Sequence, residues 1–307
     1  MNMIEVRHLE KRFGDKVVLK DLSFAVAPGE VYGLLGPNGS GKTTTINILA
    51  GLLSADAGEA WIQGEPISEK SKYALGIAPQ MISIYRDLSC EENLRFFARL
   101  YNLPAPRAEA RIRELIAMFR LEDYRTTEVA KLSGGWQRRV NMAVALVHQP
   151  SVLILDEPTA GLDVSARFEL WELIESLKKT GVAMLLTTHL LEEAERLCSR
   201  IGILSQGRIV AEGTMDELRA TVAARQLAMV ETAEEERLQQ AAAALGWTWC
   251  RRGDRIILWL PEEMTLQEFV QQFADIPLKS VALQEVTLEH IYLEHTGSYE
   301  VPDLTMT

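Results

Sequence analysis

Gly36-Pro37-Asn38-Gly39-Ser40-Gly41-Lys42-Thr43 is a complete GxxxxGK[ST] run, and its residue types suit one task, holding nucleotide phosphates. Glycines let successive backbone N–H groups turn inward around phosphate oxygens, and the start of a following helix adds positive potential. Lys42 would reach the β- and γ-phosphates, and the Thr43 hydroxyl would ligate Mg²⁺. Thr44 opens the helix and belongs to the same phosphate-binding set. The flanks fit: Val31 to Leu35 reads as a buried strand and Thr44 to Leu52 as a helix.

A second motif narrows the chemistry. Leu155-Asp156-Glu157-Pro158 ends an apolar strand with two carboxylates. There Asp156 can hold Mg²⁺ through water, and Glu157 can polarise the attacking water as a general base. The third motif, Leu132-Ser133-Gly134-Gly135-Trp136-Gln137-Arg138-Arg139, opens a helix about 20 residues earlier. A Ser-Gly-Gly turn at a helix start is a second anion cradle. One nucleotide does not need two cradles in one domain. The economical explanation is that Ser133, Gly134 and Gly135 bind the γ-phosphate of ATP held by another copy.

With these three motifs in this order, the chain resembles the nucleotide-binding subunit of an ATP-binding-cassette transporter from residue 1 to about 218. Further positions match that family's motifs. Phe13 takes the place of the aromatic that stacks on adenine, where tyrosine is commoner, and it keeps the stacking face. Gln80, in Gly76-Ile77-Ala78-Pro79-Gln80, matches the glutamine before the helical insert. Ala160-Gly161-Leu162-Asp163 matches the turn after the second carboxylate, and His189 in Thr187-Thr188-His189 the switch histidine. Trp136 departs from the usual glutamine of the signature loop.

The resemblance implies a head-to-tail dimer, of identical or closely related chains, with two ATP molecules sandwiched between phosphate loop and signature loop. In it Gln80 would touch Mg²⁺ or the attacking water, His189 would hold the γ-phosphate, and Asp163 would lie in the nucleotide contact. The catalytic set is then Glu157, His189, Lys42 and Gln80, with Thr43, Gln80 and Asp156 on the metal. ATP and Mg²⁺ are the expected nucleotide and metal ion.

The elements that must position these groups form an α/β phosphate-loop NTPase core, expected over 1–218. Residues 3–30 alternate apolar and polar positions between turn signals at Gly14-Asp15 and Pro28-Gly29, giving a small antiparallel sheet. Gly58 to Ile67 adds a hairpin with Gly64 in its turn. Leu94, Phe97, Ala98 and Tyr101, then Ile112, Leu115, Ile116 and Phe119, recur at helical spacing within an insert of roughly 81–145. Phe96, Phe97 and Tyr101 are expected to pack that insert. Val152 to Leu155 and Val182 to Thr188 are continuous apolar strands flanking a helix at Ala166 to Lys179, the pattern of a parallel sheet covered on both faces.

Beyond Leu218 the composition shifts, and the order β-α-β-β-α-β-α over 219–297 predicts a small α+β, ferredoxin-like accessory domain, followed by a loose tail at 298–307. The alternation of Trp247, Trp249 and Trp259 with polar residues predicts one buried sheet face. Leu283 to Gly297 resembles the closing segment of cassettes from bacterial drug, lipid and polysaccharide exporters, which work with separate integral-membrane permease subunits.

Bulk properties agree. With 32 basic and 43 acidic residues the net charge is −11, which argues against direct nucleic-acid contact. No uncharged apolar stretch approaches the ~18 residues that span a bilayer, and the N-terminus lacks a signal-peptide core. Cys90, Cys198 and Cys250 are scattered without metal spacing, suiting a reducing cytosol. His8, His148, His290 and His295 share no spacing and read as packing or surface residues. The expected location is cytoplasmic, on the inner face of the membrane through the permease. A soluble cassette acting on ribosomes or DNA is the competing reading, and the single cassette, the short insert and the acidic charge disfavour it.

Overall fold

A computed structural model describes residues 1–297; the expected tail at 298–307 lies outside the described residues. Alternation decides the first elements. Strand β1 (Ile4–Phe13) points Ile4, Val6 and Leu9 inward and pairs antiparallel with β2 (Lys16–Val26). After β3 (Val31–Leu35) and helix α1 (Lys42–Leu49), β4 (Ala57–Ile62) and the short β5 (Glu65–Pro66) complete a four-stranded sheet of order β2-β1-β4-β5.

The second sheet carries the site. Then come β6 (Leu75–Ala78), α2 (Cys90–Leu100), α3 (Ala105–Met118), α4 (Gly134–Ala145), β7 (Val152–Asp156), α5 (Val164–Lys178), β8 (Ala183–Thr188), α6 (Leu191–Leu197), β9 (Arg200–Ser205) and β10 (Arg208–Gly213). With β3 these strands form a six-stranded sheet of order β10-β9-β3-β8-β7-β6, in which β9, β3, β8, β7 and β6 run parallel to one another. Every residue of β3, β7 and β8 is buried, as continuous apolar runs require when both faces are covered. Alternate side chains serve two cores. Ile154, Leu185 and Leu34 join one with Ile46 and Leu49 of α1, while Leu153, Leu155, Met184 and Leu186 join the other with the insert and α5.

Local chemistry sets the helix ends. Ser89 and Glu92 form a reciprocal capping box on α2. Asp163 caps α5 by accepting from the Ala166 N–H at 2.9 Å, so that helix begins at Val164, before the Ala166 expected from periodicity. Gly76 allows β6 to lie against α4, because a Cβ there would stand 2.2 Å from the Ala145 carbonyl oxygen.

The chain passes between two compact units within β10, the first being Met1–Val210 and the second starting at Ala211. The second contains α7 (Met215–Ala220), β11 (Gln226–Thr232), α8 (Glu235–Ala244), β12 (Thr248–Arg252), β13 (Arg255–Leu260), α9 (Leu266–Gln272), β14 (Leu278–Glu285) and α10 (Leu288–Thr296). Its sheet order, β12-β13-β11-β14, with all three pairings antiparallel, is the ferredoxin-like arrangement. Trp247 and Trp249 pack into its core with Phe269 and Phe273. Trp259 does not share their face. Register places it opposite Thr248, whereas Trp249 faces Leu258, so Trp259 projects from the other side and lines a cavity of about 380 Å³ with Thr248 and Leu293. Counting along one strand cannot supply that cross-strand offset.

Candidate functional site

The loop 36–41 leaves β3 and enters α1, with Pro37, Asn38 and Gly39 exposed at its tip. Gly39 and Gly41 have φ of 82° and 117°, in the region that favours glycine, and a Cβ on Gly36 would meet the Leu204 carbonyl oxygen at 2.5 Å. No side chain caps the start of α1, so its first N–H groups remain available to an anion. Lys42 folds back over the loop. Its Nζ donates to the Gly36 and Pro37 carbonyls at 2.7 and 3.2 Å and stands 3.3 Å from Glu157 Oε1.

Glu157 is the centre of the cluster. Its N–H extends the β7–β8 pairing by donating to the Thr187 carbonyl at 2.9 Å, and its backbone then turns to φ 46°. A non-glycine residue there costs on the order of 1 kcal/mol and persists only where its surroundings hold it. Glu157 Oε2 accepts from Gln80 Nε2 at 3.1 Å and lies 3.2 Å from His189 Nδ1. Three expected site residues, from the phosphate loop, β6 and the end of β8, therefore converge on one buried carboxylate.

Asp156 sits beside it, buried, with Oδ1 accepting from the Thr187 hydroxyl at 2.5 Å. Burial pushes its carboxyl above the usual range; the Thr187 hydrogen bond opposes this, and the charge of Glu157 adds to it. A divalent cation would relieve that burden. Asp156, Gln80 and the exposed Thr43 hydroxyl border one groove and are the hard oxygen donors that Mg²⁺ takes, with water and phosphate completing its shell. Among the described residues no cluster of three or more His, Cys, Asp or Glu could hold a metal ion.

Lys42, Thr43, Thr44, Asn38, Gly39, Gly41, Gln80 and Glu157 line a common cavity of about 240 Å³. Ser133, Gly134 and Gly135 are not among its walls. Ser133 and Gly134 are exposed at the start of α4, which also lacks a side-chain cap, and the turn packs near Leu162 and Ala166. Phe13 is half exposed at the end of β1, with Lys11 Nζ 5.7 Å from its ring centre.

Sequence reasoning passed over a clamp behind Gln80. Arg138 Nη1 donates to the Pro79 and Gln80 carbonyls at 3.1 and 2.6 Å, and Asn141 Nδ2 donates to Pro79 at 3.2 Å. Arg138 and Arg139 are both buried. Helical spacing of Arg138 with Asn141 on one face of α4 was the available signal.

A family profile described as ABC transporter matches residues 19–160. Over 213 residues, the Nod factor export ATP-binding protein I of Burkholderia lata is 47% identical, across 68% of this chain and 70% of that protein. The protein of the same name from Cupriavidus metallidurans is 39% identical over 267 residues, 86% of this chain and 88% of its own. This chain belongs to the ABC transporter ATP-binding family. As an ABC protein it binds and hydrolyses ATP as the nucleotide-binding subunit of a transporter. Its fold agrees with a solved structure of an ATP-binding subunit of an ABC transporter, with TM-score 0.65 at 35% identity over 71% of this chain and 92% of that one. Another similar structure, at TM-score 0.66 and 27% identity over 80% of this chain and 96% of the other, is cbiO1 from Clostridium perfringens, part of the ABC transporter complex cbiONQ. Among the described residues of this ABC ATPase, no helix is long and apolar enough to cross a membrane.

Proposed function

We propose that this ABC ATPase is the motor of an exporter, working as a head-to-tail pair with a second copy or close relative beneath a separate membrane permease. The observation that carries the paired site is the separation of its two anion cradles: the Glu157 cluster borders the phosphate cavity, and Ser133–Gly135 does not. Each cassette would complete its partner's site with that signature loop, assisted by Asp163 and the turn before it. Export is supported by the exporter-like segment Leu283–Gly297 and by the relatives' being named as export ATP-binding proteins. In the same arrangement the chain would lie on the cytoplasmic face of the membrane.

In hydrolysis Lys42 would leave Glu157 and the loop carbonyls for the β- and γ-phosphates, with the loop N–H groups, Ser40 and Thr44 around them. Phe13 would stack on adenine. Thr43, Asp156 and Gln80 would hold Mg²⁺, which would offset the negative charge of the phosphates. Glu157, released by Lys42, would take a proton from the attacking water as its oxygen bonds to the γ-phosphorus and the bond to the β-phosphate oxygen breaks. His189 would hold the γ-phosphate, and Gln80 would report its departure through the Arg138 clamp.

A groove of about 620 Å³ beside Gln80, lined by Ile77, Pro79, Met81, Phe97 and Tyr101, is the proposed seat of the permease. It borders the site through Thr43 and Asp156, so closure of the pair would move whatever is docked there. Residues 219–297 act as an accessory domain in this reading.

Ser133→Arg tests the paired site. The expected result is loss of hydrolysis with ATP binding retained, because the changed residue lies outside the chain's own phosphate cavity. Undiminished hydrolysis in that variant would overturn the paired reading.

A further inference from the structure

Glu193 lies four residues beyond His189, on α6, and is fully buried at 0% exposure. Its Oε1 accepts from the Thr159 hydroxyl at 2.6 Å and from the Trp171 indole N–H at 3.1 Å, and its Oε2 is buried without a hydrogen-bond partner among the described residues. Thr159 is equally buried and lies two residues beyond Glu157. The turn that starts at Glu157 is otherwise pinned by backbone bonds within itself, Ala160 N–H to the Glu157 carbonyl and Leu162 N–H to the Thr159 carbonyl, both 3.2 Å.

Burying a carboxylate is costly, and Oε2 gets no return from a hydrogen bond. Packing alone would be served as well by an apolar side chain. What the carboxylate adds is a charge-assisted bond between two segments, one carrying Glu157 and the other following His189. Glu157 needs such support, because its φ of 46° is a conformation that relaxes when the surroundings loosen. Arg138 contributes to the same buried field, since Glu193 and Asp156 both favour its charged form against the burial that disfavours it.

We propose that Glu193 is a positioning residue for ATP hydrolysis: through the Thr159 hydroxyl it fixes the Glu157–Leu162 turn relative to His189. The proposal rests on the roles given to Glu157 and His189 above. It assigns Glu193 no contact with nucleotide.

Thr159→Val keeps the volume and removes the hydroxyl, whereas Thr159→Ser keeps the hydroxyl. Full-length variants are compared by steady-state ATPase kinetics, equilibrium ATP binding and thermal melting. Loss of the anchor in Thr159→Val is expected to lower kcat about tenfold, with KM and ATP affinity within about twofold, because misplacement of the turn acts on chemistry and leaves the phosphate loop alone. Thr159→Ser is expected to recover most of the loss. Glu193→Ala should reproduce it and add little on top of Thr159→Val, as members of one contact do. Should Glu193→Ala fail to fold, the two Thr159 variants decide alone. Wild-type kcat in Thr159→Val, or a fall that Thr159→Ser does not recover, would overturn the proposal. Glu157→Gln, run alongside, separates the two levels: normal turnover there sinks the site reading itself, while an inactive Glu157→Gln beside a fully active Thr159→Val sinks only the role of Glu193.

Discussion

Lys42 Nζ stands 3.3 Å from Glu157 Oε1, with the two side chains only 5% and 7% exposed. Each is the other's counter-charge in a place where an unpaired ion is expensive. In the proposed mechanism these are the cation that would reach phosphate and the carboxylate that would take a proton from water. Removing Lys42 strands the carboxylate on Gln80 and His189. Lys42→Ala is expected to lose hydrolysis and about 2 kcal/mol of stability, and the double variant with Glu157→Gln to regain part of that stability. Denaturant unfolding of the three proteins without ATP measures both effects.

The Arg138 clamp gives a second expectation. Its guanidinium donates to both carbonyls of the Pro79-Gln80 segment, and Asn141 donates only to that of Pro79, so Arg138→Met loosens the backbone that presents Gln80. A stability loss of about 1 kcal/mol and a lower kcat should follow, since a half-buried and an exposed carbonyl lose a charged donor. Thermal melts and ATPase rates of the purified variant check it.

Glu91 offers a pH signature confined to the insert. The Arg125 hydrogen bonds, followed by those of Arg95, hold its carboxyl down at about 2, against burial, from an ordinary value of 4.5. A depressed folded value means that the stabilisation is whole above 4.5 and disappears as pH falls from there toward about 2. Glu91→Gln should therefore melt below the wild type at neutral pH, with the difference closing across that window. A gap that stays constant down to pH 2 would contradict the assignment.

Trp136 is the departure from the family's signature loop, and the structure gives it a packing role. Its ring lies 4.4 Å from that of Tyr124, and the Arg139 guanidinium stands 4.3 Å from its centre. Trp136→Gln should cost about 1–2 kcal/mol and leave ATP turnover within about twofold, because the proposed cradle uses Ser133, Gly134 and Gly135 without it. Melting and ATPase assays on one preparation separate the two outcomes.

The catalytic core was legible because its signals are local. A phosphate loop between an apolar strand and a helix, or two carboxylates ending a buried strand, are contiguous patterns with a fixed physical meaning. Helix starts were less legible: α1 begins at Lys42 and α5 at Val164, each two residues ahead of the periodicity, because caps and loop geometry rather than apolar spacing set them. Partners distant in sequence were not legible at all. Glu192, Glu193 and Glu195 look alike in a short acidic helix, and only Thr159 and Trp171, brought from elsewhere, make Glu193 the buried one. Trp259 fails for the same reason, since its face depends on the register of a strand pair.

The central claim is that ATP closure of this cassette does its work on a membrane protein. Tagged Glu157→Gln, purified with ATP from gently solubilised native membranes and examined by mass spectrometry, tests it most directly. The account predicts a multi-span membrane protein in stoichiometric amount, retained with ATP together with a second cassette. A cassette pair without any membrane protein, or one carrying ribosomal proteins, would contradict it.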